Sequence, residues 1–351
     1  MLRLNLISLW QRIPKVIAWR ANLRSHLLGL FVISLSLSCL AGSCDQLPNR
    51  QVLSIGINNW VGYSIALYAR SSGIFARRGL EVKLVHFNNQ QDNIRATMRG
   101  SQDASFVPLW EVMQVDPAND KPVFIMVTDI SAGSDGIVAR QGFNSVKGLK
   151  GGRIGAKLGT VAHLILLEAL KSHNLKPEDV TIQDVSNERS SNLLEQGLLD
   201  AAVMWEPNLS KTAKDIDGKV IFTTKDVDSL VIDGLATRST VLKDNQDWLS
   251  RFILAWFDTI HAVETNPDQV FEAIAREIKQ TKAIVARDYS GLIKGDIAMN
   301  RRMFIPNGRL REATAESAKL LRADQRHGRI IRDDVEINSE FVLKAINDWQ
   351  P

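Results

Sequence analysis

From Val52 onward the chain alternates short apolar runs with stretches in which apolar residues recur every three or four positions. The runs VLSIGI (52–57), EVKLVHF (81–87), DASFV (103–107) and KPVFIMVTDI (121–130) predict strands. Between them the helical period predicts helices from Tyr63, over 92–99 and from Pro108, with Gly73 and Gly100 where helices would stop. After about residue 145 the alternation restarts: GGRIGAKL (151–158), a helix over 160–172, DVTIQDV (179–185), a helix over 190–196, DAAVMW (200–205), a helix from Pro207, and KVIFTT (219–224). Strand–helix alternation of this kind predicts βαβ units with parallel sheets, so the chain reads as two α/β units in series. Residues 239–351 read as mostly helical and are expected to pack on the first unit, with DWLSRFILAWFDTIHAVETN, PDQVFEAIAREIK and REATAESAKLLRADQRHG each carrying an apolar stripe.

The two units echo each other. MRGSQDASFVPLWE (98–111) and LEQGLLDAAVMWEP (194–207) share a helix end, a Gly, an Asp three residues on, an apolar strand and Trp-Glu, with two residues' difference between Asp and Trp. Any βαβ chain reuses glycine caps and small strand residues, which is one account of the echo. The other is functional: Trp110 and Trp205 fall at the C-terminal ends of predicted parallel strands, where open α/β sheets bind ligands. DGIVAR (135–140) and DGLATR (233–238) form a tighter pair, one before the second unit and one closing it. The chain is expected to leave the first unit, build the second and return by a matching strand, with hinges near 134–136 and 232–234.

At 351 residues, 45% hydrophobic and 23% charged, such a chain can bury a large core. Its pI near 9.0 suggests a nucleic-acid or membrane-surface partner until the charges are located. Residues 1–43 hold Arg3, Arg12, Lys15, Arg20 and Arg24 and no acid; removing those five from the overall +4 leaves about −1, so the basic excess belongs to the leader and nucleic acid is not an expected partner. That leader continues into the apolar LLGLFVISLSLSCLAGS and then Cys44, the order of a secretory signal. Ordinary signal cleavage, lipidation of Cys44 and an uncleaved anchor all remain open from the residues. Cys39 and Cys44 are the only cysteines, so the exported part has no disulfide framework and no thiolate metal site.

In order along residues 55–240, the segments NNWVGYSIALYARSSGIFARRGLEVKL, DISAGSDGIVA, VKGLKGGRIGAKLGTVAHLILLEALKSHNL, LDAAVMWEPNLS and LVIDGLATR resemble the solute-binding proteins of nitrate, sulfonate and taurine type ABC importers, a family that also covers binders of thiamine pyrimidine precursors. The resemblance implies a type II periplasmic binding protein fold: two α/β lobes joined by two crossover strands, with a small-molecule solute held between them and passed to a permease. It implies a division into a signal peptide (1–43), a tether (44–51), a first lobe (52–134 and 233–351) and a second lobe (135–232). LAGSC also resembles a lipobox, departing from it at Ala41, which implies a lipid anchor on Cys44 in the cytoplasmic membrane and a site of work in the periplasm or at the cell surface.

The residues point to the same cleft. WVGYS and KLGTVAH each set a strand end against a helix N-terminus, where backbone N–H groups favour polar or anionic ligand groups, and Gly62 and Gly159 permit close approach. Trp60, Tyr63, Trp110 and Trp205 are candidate apolar walls, and Thr160 and His163 stand at the second helix start. Ser131, Asp135, Glu206 and Asp233 lie near the crossovers. The helix starts argue for an oxyanion such as a sulfonate or nitrate, and the carboxylates beside tryptophans argue for an amine or other nitrogenous solute. No nucleophile with a base, no metal cluster and no cofactor loop stands out. The expected function is therefore solute capture by a monomer without cofactor or metal. A lyase on the same fold, as in menaquinone biosynthesis, and a ligand sensor for a membrane receptor are the alternatives.

Overall fold

The computed structural model describes residues 52–116 and 120–351; the leader, the tether and Cys44 lie outside the described residues. Twelve strands follow in chain order: β1 (Val52–Ile57), β2 (Glu81–His86), β3 (Ala104–Pro108), β4 (Pro122–Ser131), β5 (Asp135–Ala139), β6 (Arg153–Gly155), β7 (Thr181–Gln183), β8 (Ala201–Trp205), β9 (Lys219–Thr223), β10 (Ile232–Arg238), β11 (Leu292–Lys294) and β12 (Glu336–Ile337). They form two sheets. The first runs β11-β4-β10-β3-β1-β2 with β12 beside β4, and the second runs β7-β6-β8-β5-β9.

The sheets are mixed rather than wholly parallel. Strands β2, β1 and β3 are parallel, as are β7, β6 and β8, and in these stretches the predicted βαβ rhythm holds. The matched pair DGIVA and IDGLATR departs from it: β5 lies antiparallel between β8 and β9, and β10 antiparallel between β3 and β4. Neither strand bridges the lobes; each is embedded in one sheet. Both strands stand next to a passage from one sheet to the other. Here β4 ends at Ser131 and β5 starts at Asp135, while β9 ends at Thr223 and β10 starts at Ile232. The crossing segments are therefore 132–134 and 224–231, and Thr224 ties them together through Ser131 Oγ (2.8 Å) and the Gly133 N–H (2.9 Å).

This routing brings one edge of each sheet to a common cleft. The C-terminal ends of β1, β3 and β4 and the start of β10 meet there, with Asp233 opposite both Pro108 and Asp129. From the second sheet come the ends of β6 and β8 and the start of β5, where Asp135 faces Trp205.

Behind the first sheet, the helix Gln246–Thr265 buries Phe252 and Trp256 against Phe75 and Phe106, at ring distances of 5.3–6.0 Å. The C-terminal part does not serve the first lobe alone. Its helix Arg309–Ala323 also packs on the second lobe's helix Val161–Ser172, and buried His163 meets Asp324 at 3.0 Å beside that contact.

Candidate functional site

A cavity of about 240 Å³ opens where the two sheets' edges meet. Trp60, Tyr63, Asp135, Thr160, Trp205 and Asp233 line it, so six of the twelve ligand-site residues expected from the sequence come together. Trp60 precedes the helix Val61–Ser71, and its indole N–H is held at 2.9 Å by Asp129 Oδ1. Tyr63 is wholly buried one turn on; its hydroxyl donates to Asp233, and its ring stacks on Phe106 at 5.5 Å. Thr160 caps the helix Val161–Ser172 by accepting from the Ala162 N–H.

The other six lie elsewhere. Gly62 packs so tightly on Asp129 that a Cβ there would overlap the carboxyl group. Trp110 is buried in the core, because the two extra residues in the first echo carry it past the strand end. Pro108, five residues after Asp103 as Trp205 is after Asp200, stands at the strand end and lines the cavity in its place. Ser131 lies behind the cleft, bonded to Thr224. Gly159 has a left-handed backbone, φ +70°, and its carbonyl accepts from Gln114 Nε2 (3.2 Å), Gln91 Nε2 (3.4 Å) and Arg329 Nη1 (3.1 Å), all across the cleft. His163 is fully buried; burial lowers its pKa, and the Gly159 N–H donates to its Nδ1 at 3.3 Å, leaving Nε2 to donate to Asp324. Glu206 borders an adjoining cavity of about 530 Å³, which shares Asn58 and Trp60 with the first, and its carboxylate caps Ser210.

Three functional candidates escaped the sequence reading. Glu111 follows Trp110 as Glu206 follows Trp205, so the echo itself carried the signal. Asp129 is brought in by the register of β4 against β10, which the sequence does not show. Asn187 opens the helix Asn187–Glu195 behind the cap Ser186; it lines the cavity with neither amide atom hydrogen-bonded.

The electrostatics are one-sided. Burial pushes Asp135 up to about 7 against the opposing hydrogen bond from Ser131, and pushes Glu111 up to about 8 although Arg329 lies 3.7 Å away. Desolvation raises Asp233 and Asp129 as well; at Asp233 the like-charged Asp129 across the β10–β4 pair adds to the rise, and at Asp129 the hydrogen bonds from Trp60 and Thr128 oppose it. Removing a carboxylate from water favours its neutral form, and a second carboxylate nearby adds to that. No group of three or more His, Cys, Asp or Glu among the described residues is arranged to hold a metal ion. No helix among them is long and apolar enough to cross a membrane.

The chain and its fold have counterparts among known proteins. The taurine-binding periplasmic protein of Escherichia coli K12 is 22% identical over 63% of this chain and 70% of its own. An aliphatic sulfonates-binding homologue from Bacillus subtilis 168 is 26% identical over 63% and 68%. Among solved structures, the periplasmic aliphatic sulphonate binding protein SsuA from Escherichia coli superposes with a TM-score of 0.66 at 17% identity, covering 82% of this chain and 95% of that one. The desulfurization enzyme DszB shares the fold at a TM-score of 0.59 and 15% identity, over 85% and 99%. The fold is thus that of the periplasmic binding proteins. The model of the family described as NMT1/THI5 like matches residues 61–270, more than half of the length, and the chain belongs to that family.

Proposed function

We propose that this chain is an extracytoplasmic solute-binding protein that holds a small polar organic solute between its lobes and delivers it to an ABC importer permease. The observation that carries the reading is the cavity itself. Trp60, Tyr63 and Trp205 wall it, and the buried carboxamide of Asn187 stands without a partner. Buried polar groups in native proteins are otherwise bonded, so a group left open in a cavity is one that a ligand completes. Relatives that bind taurine and sulfonates support the role and a periplasmic place of work. Lipidation of Cys44 and a monomeric state belong to the same proposal. Binding is favoured over catalysis because no nucleophile–base pair faces the cavity among the described residues; of its hydroxyls, those of Thr160 and Ser186 are occupied as helix caps and that of Tyr63 is bonded to Asp233.

Native mass spectrometry of protein purified without denaturation from its own cells tests this. One small molecule per chain is expected, unchanged in mass after prolonged incubation. Trp205→Ala should weaken its retention by about thirtyfold, roughly 2 kcal/mol, the scale of truncating an aromatic anchor. A bare protein would end the solute-binding reading, and a ligand converted on incubation would replace it with an enzyme. The same spectra report the Cys44 end: an unacylated or uncleaved chain removes the lipid anchor from the proposal.

The lobes are expected to turn about 132–134 and 224–231, the segments that cross between sheets, and not within 135–136 or 232–234, which lie inside β5 and β10. The three bonds onto the Gly159 carbonyl cross the cleft and would be lost on opening. Small-angle scattering should therefore give a larger radius of gyration for ligand-free Arg329→Ala than for its ligand-bound form. Equal radii would mean a preformed pocket.

A further inference from the structure

Resting on the solute-binding reading, we propose that the cleft takes a small organic cation, a protonated amine, amidine or nitrogen heterocycle, whose N–H groups bond to Glu111, Asp135 and Asn187. The first argument is the balance of charge. Glu111, Asp135 and Asp233 line one cavity from three separate elements, each no more than 3% exposed, and Asp129 stands directly behind Asp233. Among the cavity's lining residues the one cationic side chain is Lys157, which is exposed and reaches Asp184 at 2.9 Å. Arg329 approaches Glu111 only to 3.7 Å and spends its Nη1 hydrogen bond on Gly159. A cation entering here would draw these raised carboxyls into their charged form and pair with them, whereas a sulfonate would find only Lys157 among the lining residues as a counter-charge.

The second argument is what lacks a partner. Asp135 Oδ2 and Glu111 Oε2 accept no hydrogen bond, and Asn187, 4% exposed, has both its amide oxygen and nitrogen open. Three of these four atoms are acceptors. A protonated nitrogen group supplies donors to these oxygens as the carboxyls ionise on binding, and a sulfonate has none to supply.

The third argument concerns the helix N-termini, which are the sequence's case for an oxyanion. At the start of Val61–Ser71 the protein's own Asp129 lies against Gly62. At the starts of Val161–Ser172 and Asn187–Glu195 the hydroxyls of Thr160 and Ser186 already accept backbone N–H groups. The aromatic walls Trp60, Tyr63 and Trp205 suit a cation's face as well as an apolar one. At about 240 Å³ the cavity is below the roughly 300–1,000 Å³ of drug-sized pockets, so the ligand is small.

Isothermal titration of the purified protein with agmatine, 4-aminopyridine, ethanesulfonate and taurine reads the class. At least one of the two cations should bind ten times more tightly than ethanesulfonate. In Asp135→Asn that affinity should drop at least thirtyfold while the ligand-free melting temperature at pH 8 rises, because a neutral amide replaces a buried acid. A purely structural Asp135 would move melting and leave binding alone, which overturns the proposal. So does tighter binding of ethanesulfonate or taurine, or binding of neither cation. If native mass spectrometry meanwhile finds an anionic or uncharged solute, the class fails and the solute-binding role stands; a bare protein there fails the role itself.

Discussion

Ligand-free protein should lose stability as pH rises from 5 to 9, by at least about 4 kcal/mol, opposite to the usual behaviour of a protein rich in paired carboxylates. The folded-state pKa of Asp135 is raised from 3.8 to about 7 and that of Glu111 from 4.5 to about 8, with burial as the first cause of each. A raised acid holds more protons folded than unfolded through this window, so the slope of unfolding free energy with pH is negative. Its stabilising share is complete below the unfolded value and is lost as pH climbs through the folded one. Each such group is worth roughly 4 kcal/mol over its full range. Asp324 works the other way, lowered to about 2 by Arg326 and His163 against its own desolvation, so its share is present above the unfolded value and fails only in acid. Urea unfolding at half-unit steps of pH would show the trend, and Asp135→Asn should flatten part of it. A profile flat or rising to pH 9 would show that water reaches these carboxyls and that the cleft is not dry.

A buried acid that destabilises its own fold is a typical mark of a functional site, and this one was only half legible in the sequence. Asp135 and Asp233 could be found because each opens a repeated Asp-Gly strand. Their surroundings could not, since the antiparallel insertion of β5 and β10 depends on which sheet each crossing segment enters. Local pattern placed the helices 160–172 and 190–196 within a few residues of Val161–Ser172 and Asn187–Glu195, because a 3.6-residue period is a local property. One partner of each of His163 and Gly159 lies more than 160 residues away in the C-terminal part, Asp324 for the first and Arg329 for the second. Nothing local to either residue announces such a contact.

The echo between the halves has a physical basis that leads to the last prediction. Gly100 and Gly197 both end helices with left-handed backbone, φ +78° and +70°. Three residues on, Asp103 accepts the Ser54 N–H at 2.8 Å and donates its own N–H back to the Ser54 carbonyl at 2.8 Å; Asp200 does the same with Arg153, at 2.8 Å and 2.8 Å. Each aspartate thus clamps one parallel strand to its neighbour, β3 to β1 and β8 to β6, and fixes where Pro108 and Trp205 emerge into the cleft five residues later. The second clamp has more on it, since Arg153 also donates to Asp200 through its guanidinium and Arg140 lies 3.3 Å away. A hydrogen bond from a backbone N–H to a charged acceptor is worth about 1.5–3 kcal/mol. The arginines are each over a third exposed, so screening by water leaves them only a minor share of the clamp. Asp103→Ala should therefore cost about 2 kcal/mol in urea unfolding at pH 7, and Asp200→Ala measurably more. Asp200→Asn keeps an oxygen for the Arg153 N–H and loses the charge, so it should fall between wild type and Asp200→Ala. In Asp200→Ala the end of β8 is released and solute retention should drop together with stability, whereas Trp205→Ala loses retention with little change in unfolding. Equal costs at the two aspartates would mean that the arginines add nothing, and an Asp200→Ala protein that keeps its solute would show that Trp205 is held by its own packing and not by the strand clamp.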